Sequence, residues 1–233
     1  MAIMEPSDCD NCQIRSIALF GELDPETLAR LQTQAYQFEA SAGSVIFEAN
    51  QPAEASYTLR EGVIKLVRTQ QDGRTQIVRL LVGGDFFGAE GLFEEPHRHT
   101  AVALTPVRLC RLPNTLLQQL RREDPTFSEA LLGRWRRALD EVETLALELG
   151  TQKAEQRIAS FLLHWQGKLG VDSGWLPLPL SRSELGELLG LRVETVSRVM
   201  ARWKRQGVLN EKAGSIRLQD AESLRRTLQP VPG

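Results

Sequence analysis

Three cysteines and three histidines carry the most reactive side chains of this 233-residue sequence. Cys9 and Cys12 form a Cys-x-x-Cys pair among polar neighbours, and Cys110 lies far along the chain. A Cys-x-x-Cys pair can share a metal ion or close into a disulfide. Three cysteines are too few for a disulfide scaffold, so free, metal-binding or redox-active thiols are expected. For Cys110 alone, the alternative is a small buried residue in a strand.

The sequence lacks the residue patterns of common enzyme sites. Paired carboxylates, a Ser/His/Asp set, a P-loop and a Gly-x-Gly-x-x-Gly turn after a strand are not evident, and the histidines are not spaced for zinc. We therefore expect a protein that is not an enzyme. The polar start does not have the parts of a secretory signal, and no run approaches the roughly 18 apolar residues of a membrane helix. These features predict a cytoplasmic protein without a membrane partner.

Short β-rich runs fill the region from Gly43 to Pro113 and are separated by turn residues. This punctuation indicates an antiparallel sandwich or barrel. Asp72-Gly73 lies between two of the runs and predicts a hairpin. Before this region, residues 24–36 predict a short helix with Asp24 as its N-cap and proline at its first position.

A heptad pattern begins after Pro125. Its apolar positions alternate at spacings of four and three: Leu131, Trp135, Ala138, Val142, Leu145 and Leu149. This spacing is typical of a two-helix coiled coil, so a long helix is expected to join two copies of the chain. A helix packed only on its own domain is the alternative, and the two uses are compatible. Gly150 and Thr151 predict a hinge, and a further helix is expected at about 152–168.

Residues 181–209 have the features of a helix-turn-helix unit. Ser181 and Glu184 form a capping box, and Gly190 breaks the first helix where such units place a turn glycine. The second helix is expected at about 193–206. A helical wheel gives it an inward apolar face of Val196, Val199, Met200 and Trp203. The residues after Leu209 predict a short hairpin, which would form a wing.

The opposite face of the second helix suits the major groove of DNA. Its side chains are Glu194, Thr195, Ser197, Arg198, Arg202 and Arg205, and Ser183 of the first helix completes the candidate DNA contacts. Arg198 can donate to guanine O6 and N7, and Glu194 can accept from cytosine N4. Arg202 and Arg205 are better placed for phosphates, which add affinity but carry no sequence information. A winged helix used for protein contacts is the alternative.

The distribution of charge agrees with this interpretation. The whole chain has a net charge of −2, but residues 152–233 carry 13 Lys and Arg against 8 Asp and Glu, whereas residues 1–151 carry 15 against 22. The basic half is therefore the one expected to contact a polyanion.

Taken together, residues 9–228 resemble the Crp/Fnr superfamily of bacterial transcription regulators. GDFFGAEGLFEEPHRHTAVAL is similar to the family's phosphate-binding cassette, and LGLRVETVSRVMARWKRQGVL is similar to its recognition helix, with Glu194-x-x-Ser197-Arg198 in the FNR-type pattern. The resemblance implies an α+β protein: an N-terminal double-stranded β-roll sensor like a cyclic-nucleotide-binding domain (1–124), a dimerisation helix (125–150) and a C-terminal winged helix-turn-helix domain (151–233). It also implies a homodimer that binds an inverted repeat of TTGAT- or TTGAC-like half-sites, with RNA polymerase as a further partner.

The resemblance leaves the signal open. Cluster-binding members hold an iron–sulfur cluster with four cysteines; Cys9, Cys12 and Cys110 match three of these, and the fourth, expected near Ile17–Ala18, is absent. The same thiols are alternatively a direct redox switch. An oxygen- or redox-responsive regulator is therefore expected. Val142 lies where cluster sensors keep an acidic residue in the dimer seam, which predicts a standing dimer whose DNA-binding domains reorient with the signal.

Other effectors are weaker alternatives. The effector pocket suggested by the resemblance comprises Gly88, Ala89, Glu90, His99 and Thr100. Ala89 replaces the glutamate that holds the ribose of cAMP, and His99 replaces the arginine that holds its phosphate, which argues against cAMP. A shifted register would let Glu90 and Arg98 take those roles. Haem bound through His97 or His99, and a regulator without an effector, are the remaining alternatives.

Overall fold

The structure is a computed structural model and describes residues 5–6, 12, 14, 18–171 and 174–229. The chain forms two compact units, Met1–Glu141 and Val142–Gly233. One long helix continues through the boundary between them. Each unit is described separately below.

Short antiparallel strands form the framework of the N-terminal unit. They are β1 (Glu5–Pro6), β2 (Tyr36–Ala40), β3 (Val45–Phe47), β4 (Ala55–Glu61), β5 (Ile64–Thr69), β6 (Thr75–Leu81), β7 (Phe86–Phe87), β8 (Thr100–Ala103) and β9 (Val107–Pro113). One sheet has the order β1-β2-β9-β4-β7 and the other β3-β8-β5-β6. The β5–β6 hairpin turns at Asp72-Gly73, where Gly73 has φ 82°. The predicted antiparallel double-sheet fold is confirmed.

Helices flank the first sheet. They are the 3-10 helix η1 (Leu19–Glu22), α1 (Pro25–Gln32), the 3-10 helix η2 (Ala89–Phe93), α2 (Asn114–Glu123) and α3 (Pro125–Thr151). Asp24 caps α1 as predicted, because its carboxylate accepts hydrogen bonds from the amides of Glu26 and Thr27. The helix ends at Gln32, earlier than predicted, because the chain from Tyr36 pairs with β9 as strand β2.

The core of this unit has two layers because the first sheet is buried on both faces. Between the sheets lie Phe47, Tyr57, Leu59, Ile64, Leu81, Phe87 and Leu109, among others. On the other face of the first sheet, Leu31, Phe86, Leu112, Leu117, Leu120, Phe127 and Leu131 pack with the helices. Successive side chains of a strand point to opposite faces, so β7 and β9 contribute to both layers.

The C-terminal unit combines helices with a small sheet. After the end of α3 come α4 (Ala154–Lys168), β10 (Leu176–Pro177), α5 (Arg182–Leu189), α6 (Val193–Arg205), β11 (Leu209–Lys212), β12 (Ser215–Leu218) and α7 (Ala221–Leu228). The sheet order is β10-β12-β11, and both pairs are antiparallel. The predicted hairpin after Leu209 is therefore present as β11–β12.

Candidate nucleic-acid interface

Helices α5 and α6 form a helix-turn-helix through close backbone packing. Ser181 accepts a hydrogen bond from the Glu184 amide at 3.2 Å, and the Glu184 carboxylate accepts one from the Ser181 amide at 2.8 Å, so the predicted capping box is present. Gly190 ends α5 in the left-handed region with φ 62°. A Cβ at Gly186 would lie 2.6 Å from the carbonyl oxygen of Leu191, so any larger residue would push the turn away from α5.

Helix α6 buries the apolar face that the sequence predicts. Val196, Val199, Met200 and Trp203 are all at most 6% exposed. On the other side, Glu194, Arg198 and Arg205 are exposed, and Thr195 and Ser197 are half-buried. Among the described residues, no side chain forms an ion pair with Glu194 or Arg198, although the two are one helical turn apart. Both groups are therefore available to a ligand beside the first two turns of α6.

Glu155 on α4 anchors the inner edge of α6. Its carboxylate accepts a hydrogen bond from Trp203 Nε1 at 3.1 Å and pairs with Arg202 at 2.5 Å. Arg202, a predicted phosphate contact, thus has a partner inside its own unit, and its side chain remains 42% exposed. Ser183, another predicted contact, is exposed at the start of α5, with its hydroxyl 3.4 Å from Glu187.

Arg157 joins three chain segments at the predicted hinge. Its guanidinium donates to the carbonyl oxygens of Leu149 at 2.6 Å and Leu189 at 3.2 Å, and its Nε donates to that of Gln152 at 3.0 Å. Leu149 and Leu189 lie at the C-terminal ends of α3 and α5, where unpaired carbonyl groups carry partial negative charge. Sequence reasoning missed this residue, because one arginine in a first helical turn has no local signature.

A second contact links the helix-turn-helix to the hairpin. Arg182, at the start of α5, forms an ion pair with Glu211 of β11. The hairpin turn at Gly214 has φ 67°, and the flanking Lys212 and Arg217 are exposed. The hairpin thus has the connection and the positive charge that a DNA-contacting wing requires.

The exposed apolar residues of α3 overlap only in part with the predicted seam. Leu131 is 2% exposed and packs in the core of the N-terminal unit, so it is not available to a second chain. Val142 of the predicted seam is 49% exposed, and two leucines outside that seam are also exposed, Leu132 at 60% and Leu139 at 56%. Of the other predicted seam residues, Trp135, Ala138, Leu145 and Leu149 are half-buried. The difference arises because the side of α3 that carries Leu131 covers the first sheet.

At Gly88, one residue of the predicted effector pocket, the protein's own side chains pack closely. His97 is 3% exposed, and its ring stacks on Phe47 with centroids 3.7 Å apart and planes at 11°. His97 is therefore a buried residue, although it lies in a loop. A Cβ at Gly88, which has φ 75°, would lie 3.2 Å from Phe47 and 3.3 Å from His97 Cε1.

Glu90 connects both histidines. One carboxylate oxygen lies 3.4 Å from His97 Nδ1, and the other lies 3.4 Å from His99 Nδ1. Burial would raise the pKa of Glu90, but hydrogen bonds from both histidines outweigh this effect and hold the pKa well below its usual value. Both oxygens of the ionised Glu90 side chain are therefore already in contact with histidine rings. Arg98, the other residue of the shifted cAMP register, pairs with Glu95 at 2.6 Å and is exposed.

The cysteines are only partly described. Cys9 lies outside the described residues. Cys12 and Cys110 are half-buried, and Cys110 on β9 is cross-strand partner to Thr58 and Gln37. Among the described residues, no group of three or more His, Cys, Asp or Glu side chains could hold a metal ion. A cluster held by four cysteine thiolates does not fit this chain, which has three cysteines.

Comparison with known proteins identifies both units. The family model described as a cyclic nucleotide-binding domain matches residues 37–124, and the one described as a Crp-like helix-turn-helix domain matches residues 156–227. A probable transcriptional activator of Rhizobium leguminosarum is 31% identical over 96% of this chain and 94% of its own length. The chain belongs to the Crp/Fnr family of transcription regulators. Members of this family regulate transcription and are not enzymes.

Other relatives support the same assignment. The nitrogen fixation regulation protein FixK of Bradyrhizobium diazoefficiens is 29% identical over 94% of each chain. The transcriptional activator protein FnrL of Cereibacter sphaeroides is 30% identical over 86% of this chain and 83% of its own. The solved structure of FixK2 from Bradyrhizobium japonicum superposes with a TM-score of 0.77 at 30% identity, covering 85% of this chain and 99% of that one.

Within the described ranges, no helix combines the length and apolarity that a membrane span needs.

Proposed function

We propose that this Crp/Fnr regulator binds, as a homodimer, an inverted repeat with TTGAT- or TTGAC-like half-sites, and that its cysteines make binding respond to redox state. The observation that carries the DNA part is the exposure of Glu194 and Arg198 on one face of α6, where neither forms an ion pair with any residue that the structure describes. Near the N-terminal end of a recognition helix, these groups can reach base edges. Ser197 allows close approach, and Thr195 and Arg205 are placed for the DNA backbone.

The proposed dimer uses the exposed stripe of α3. Leu132, Leu139 and Val142 follow one another at spacings of seven and three residues, which agrees with a coiled-coil seam. Trp135 and Leu149 of the predicted seam lie on the same side of the helix at 100° per residue. A two-fold dimer would match the two-fold symmetry of an inverted repeat. RNA polymerase is the further proposed partner, in the cytoplasm where the chromosome is accessible.

The redox proposal rests on the three thiols. Oxidation of Cys110 together with Cys9 or Cys12 to a disulfide would release two protons and two electrons to an added oxidant, and it would tie the Cys-x-x-Cys pair to the β9 strand that carries Cys110. A direct thiol switch needs no fourth ligand, which favours it over a four-cysteine cluster. The names of the relatives FixK and FnrL do not state a cofactor for this chain.

The DNA proposal is tested by fluorescence anisotropy with a TTGAT-type palindrome and a scrambled duplex. Arg198→Ala should weaken specific binding by about 1–3 kcal/mol and relax the preference at the contacted guanine. The matched control is Arg225→Ala, because Arg225 is an exposed arginine on α7, outside the helix-turn-helix. Unchanged specific binding by Arg198→Ala would show that this register of α6 on DNA is wrong.

The redox proposal is tested on anaerobically purified protein. Iron and acid-labile sulfide are measured first, and operator affinity is then compared with reductant and with a thiol oxidant. A change of roughly 5- to 150-fold, the usual range of an allosteric coupling, should be present in the native protein and absent from Cys110→Ser. Stoichiometric iron and sulfide would favour a cluster with a non-cysteine ligand. Equal affinities in both states, without iron, would overturn a redox role.

A further inference from the structure

Glu90, His97 and His99 form a cluster of one carboxylate and two imidazoles, whose charge depends on whether the imidazoles are protonated. Imidazole is the side chain whose ordinary pKa lies closest to neutrality. With both rings neutral the cluster carries the single negative charge of Glu90; one proton neutralises it and a second makes it positive. These changes occur in a site where His97 is 3% exposed and stacked on an aromatic ring, so each one alters local interactions strongly.

The remaining ionisable groups around the cluster have other partners or face solvent. They are Glu48, which bonds Gln51; Glu54, 4.0 Å from Arg111; Glu95, paired with Arg98; and the exposed Glu94. The ring of Tyr57 on β4 is buried and stacks on Phe47. Glu90 is the carboxylate in contact with both ring nitrogens. Proton exchange with solvent is open through His99, whose side chain is 26% exposed.

Protonation should move Glu90 and not His97. The His97 backbone is held on both sides, since its amide donates to Gln51 at 3.0 Å and its carbonyl accepts from Asn50 at 2.7 Å. The contacts from Glu90 to the rings are 3.4 Å, at the long limit of a hydrogen bond. A charge-assisted bond is about 2.7–2.9 Å long, so protonation would draw the carboxylate inward by about half an ångström.

The 3-10 helix η2 connects this movement to α3. Phe93 lies three residues after Glu90, one turn of a 3-10 helix away, and its ring centroid is 5.2 Å from that of Trp135 on α3. Between them, Gly91 is closely packed: a Cβ there would lie 1.9 Å from the carbonyl oxygen of Ala53. A displacement of Glu90 would therefore turn η2 about Gly91 and alter the contact between Phe93 and Trp135.

We propose that Glu90, His97 and His99 form a proton-operated latch that sets the position of η2, and through Phe93 and Trp135 its contact with the long helix. The latch tightens when an imidazole is protonated and loosens when both imidazoles are neutral. In this protein the proton takes the place of a bound effector in the β-roll. The proposal does not depend on the operator sequence or on the cysteines.

Hydrogen–deuterium exchange of the full-length protein tests the latch without DNA. Exchange of peptides covering 89–95 and 130–138 is measured at pH 6.0 and pH 8.0, corrected for intrinsic rates, with EDTA present so that no metal ion replaces the proton. The native protein should exchange about three- to tenfold more slowly at pH 6.0 in the 89–95 peptide, with a change of the same sign around Trp135.

Matched variants separate the latch from general charge effects. Glu90→Gln should remove the pH step, whereas Glu95→Gln, the same change on a neighbouring exposed carboxylate, should retain it. His99→Asn changes the more exposed of the two histidines and should reduce the difference in exchange between the two pH values. This variant tests the proposal if Glu90→Gln does not fold. Equal protection of the native protein at both pH values, or a full step in Glu90→Gln or His99→Asn, would overturn the proposal.

Discussion

Arg157 provides the sharpest test of how the C-terminal unit is held together. Its three hydrogen bonds, at 2.6, 3.0 and 3.2 Å, link the ends of α3 and α5 to the start of α4. A bond from a charged donor contributes about 1.5–3 kcal/mol when it is well buried. Because Arg157 is half-buried, solvent screening reduces this to roughly 1 kcal/mol each. Arg157→Met should therefore destabilise this unit by about 3 kcal/mol.

The assay is urea unfolding followed by tryptophan fluorescence, since Trp165 and Trp203 are both buried in this unit. Arg157→Lys keeps the charge but loses the fork geometry, so it should recover only about a third of the loss. Arg225→Met, at an exposed arginine of α7, is the control and should change stability by less than about 0.5 kcal/mol. An Arg157→Met protein within that same margin of the native one would refute the assignment.

The same change should affect function. Arg157 fixes the end of α5 relative to the end of α3, so its loss should broaden the orientations of α6 and weaken operator binding by roughly five- to tenfold. This is measured by anisotropy below the temperature at which the variant begins to unfold. Operator affinity equal to that of the native protein, despite reduced stability, would restrict Arg157 to a purely structural role.

Three further predictions concern the N-terminal unit and α3. Gly91→Ala should destabilise the β-roll by about 3 kcal/mol or more in thermal melts, because the new Cβ would overlap the Ala53 carbonyl. Leu139→Glu should weaken dimerisation more than about a hundredfold in analytical ultracentrifugation, since two buried leucines are lost from a two-fold seam; an unchanged association constant would contradict the α3 dimer. The lowered pKa of Glu90 means that its ionised form stabilises the fold above the ordinary value of 4.5, and this contribution is lost as pH falls below it. Glu90→Gln should therefore lose less stability than the native protein between pH 6 and pH 3 in urea unfolding, and equal losses would contradict the assignment.

The sequence by itself determined the features whose causes are local. A capping box at Ser181 and Glu184, a turn glycine at 190 and an amphipathic period in α6 each depend on residues only a few positions apart, and the structure confirms them. The β-rich runs were recognisable for the same reason, because turn residues punctuate them. The resemblance to Crp/Fnr regulators rested on those same segments, and the family comparisons confirm it.

Only the tertiary structure decided the features that depend on residues distant in the chain. Strand β2 exists because β9 pairs with it, so the end of the predicted α1 was placed too late. Leu131 and Leu132 are equally apolar, and only packing against the first sheet shows which of them is buried. His97 lies in a loop, and only the structure shows that Phe47, fifty positions earlier in the chain, stacks on its ring. In each case the free energy of folding that favours the observed arrangement comes from burial between segments that are distant in the chain. Sequence periodicity does not show which of these segments pack together.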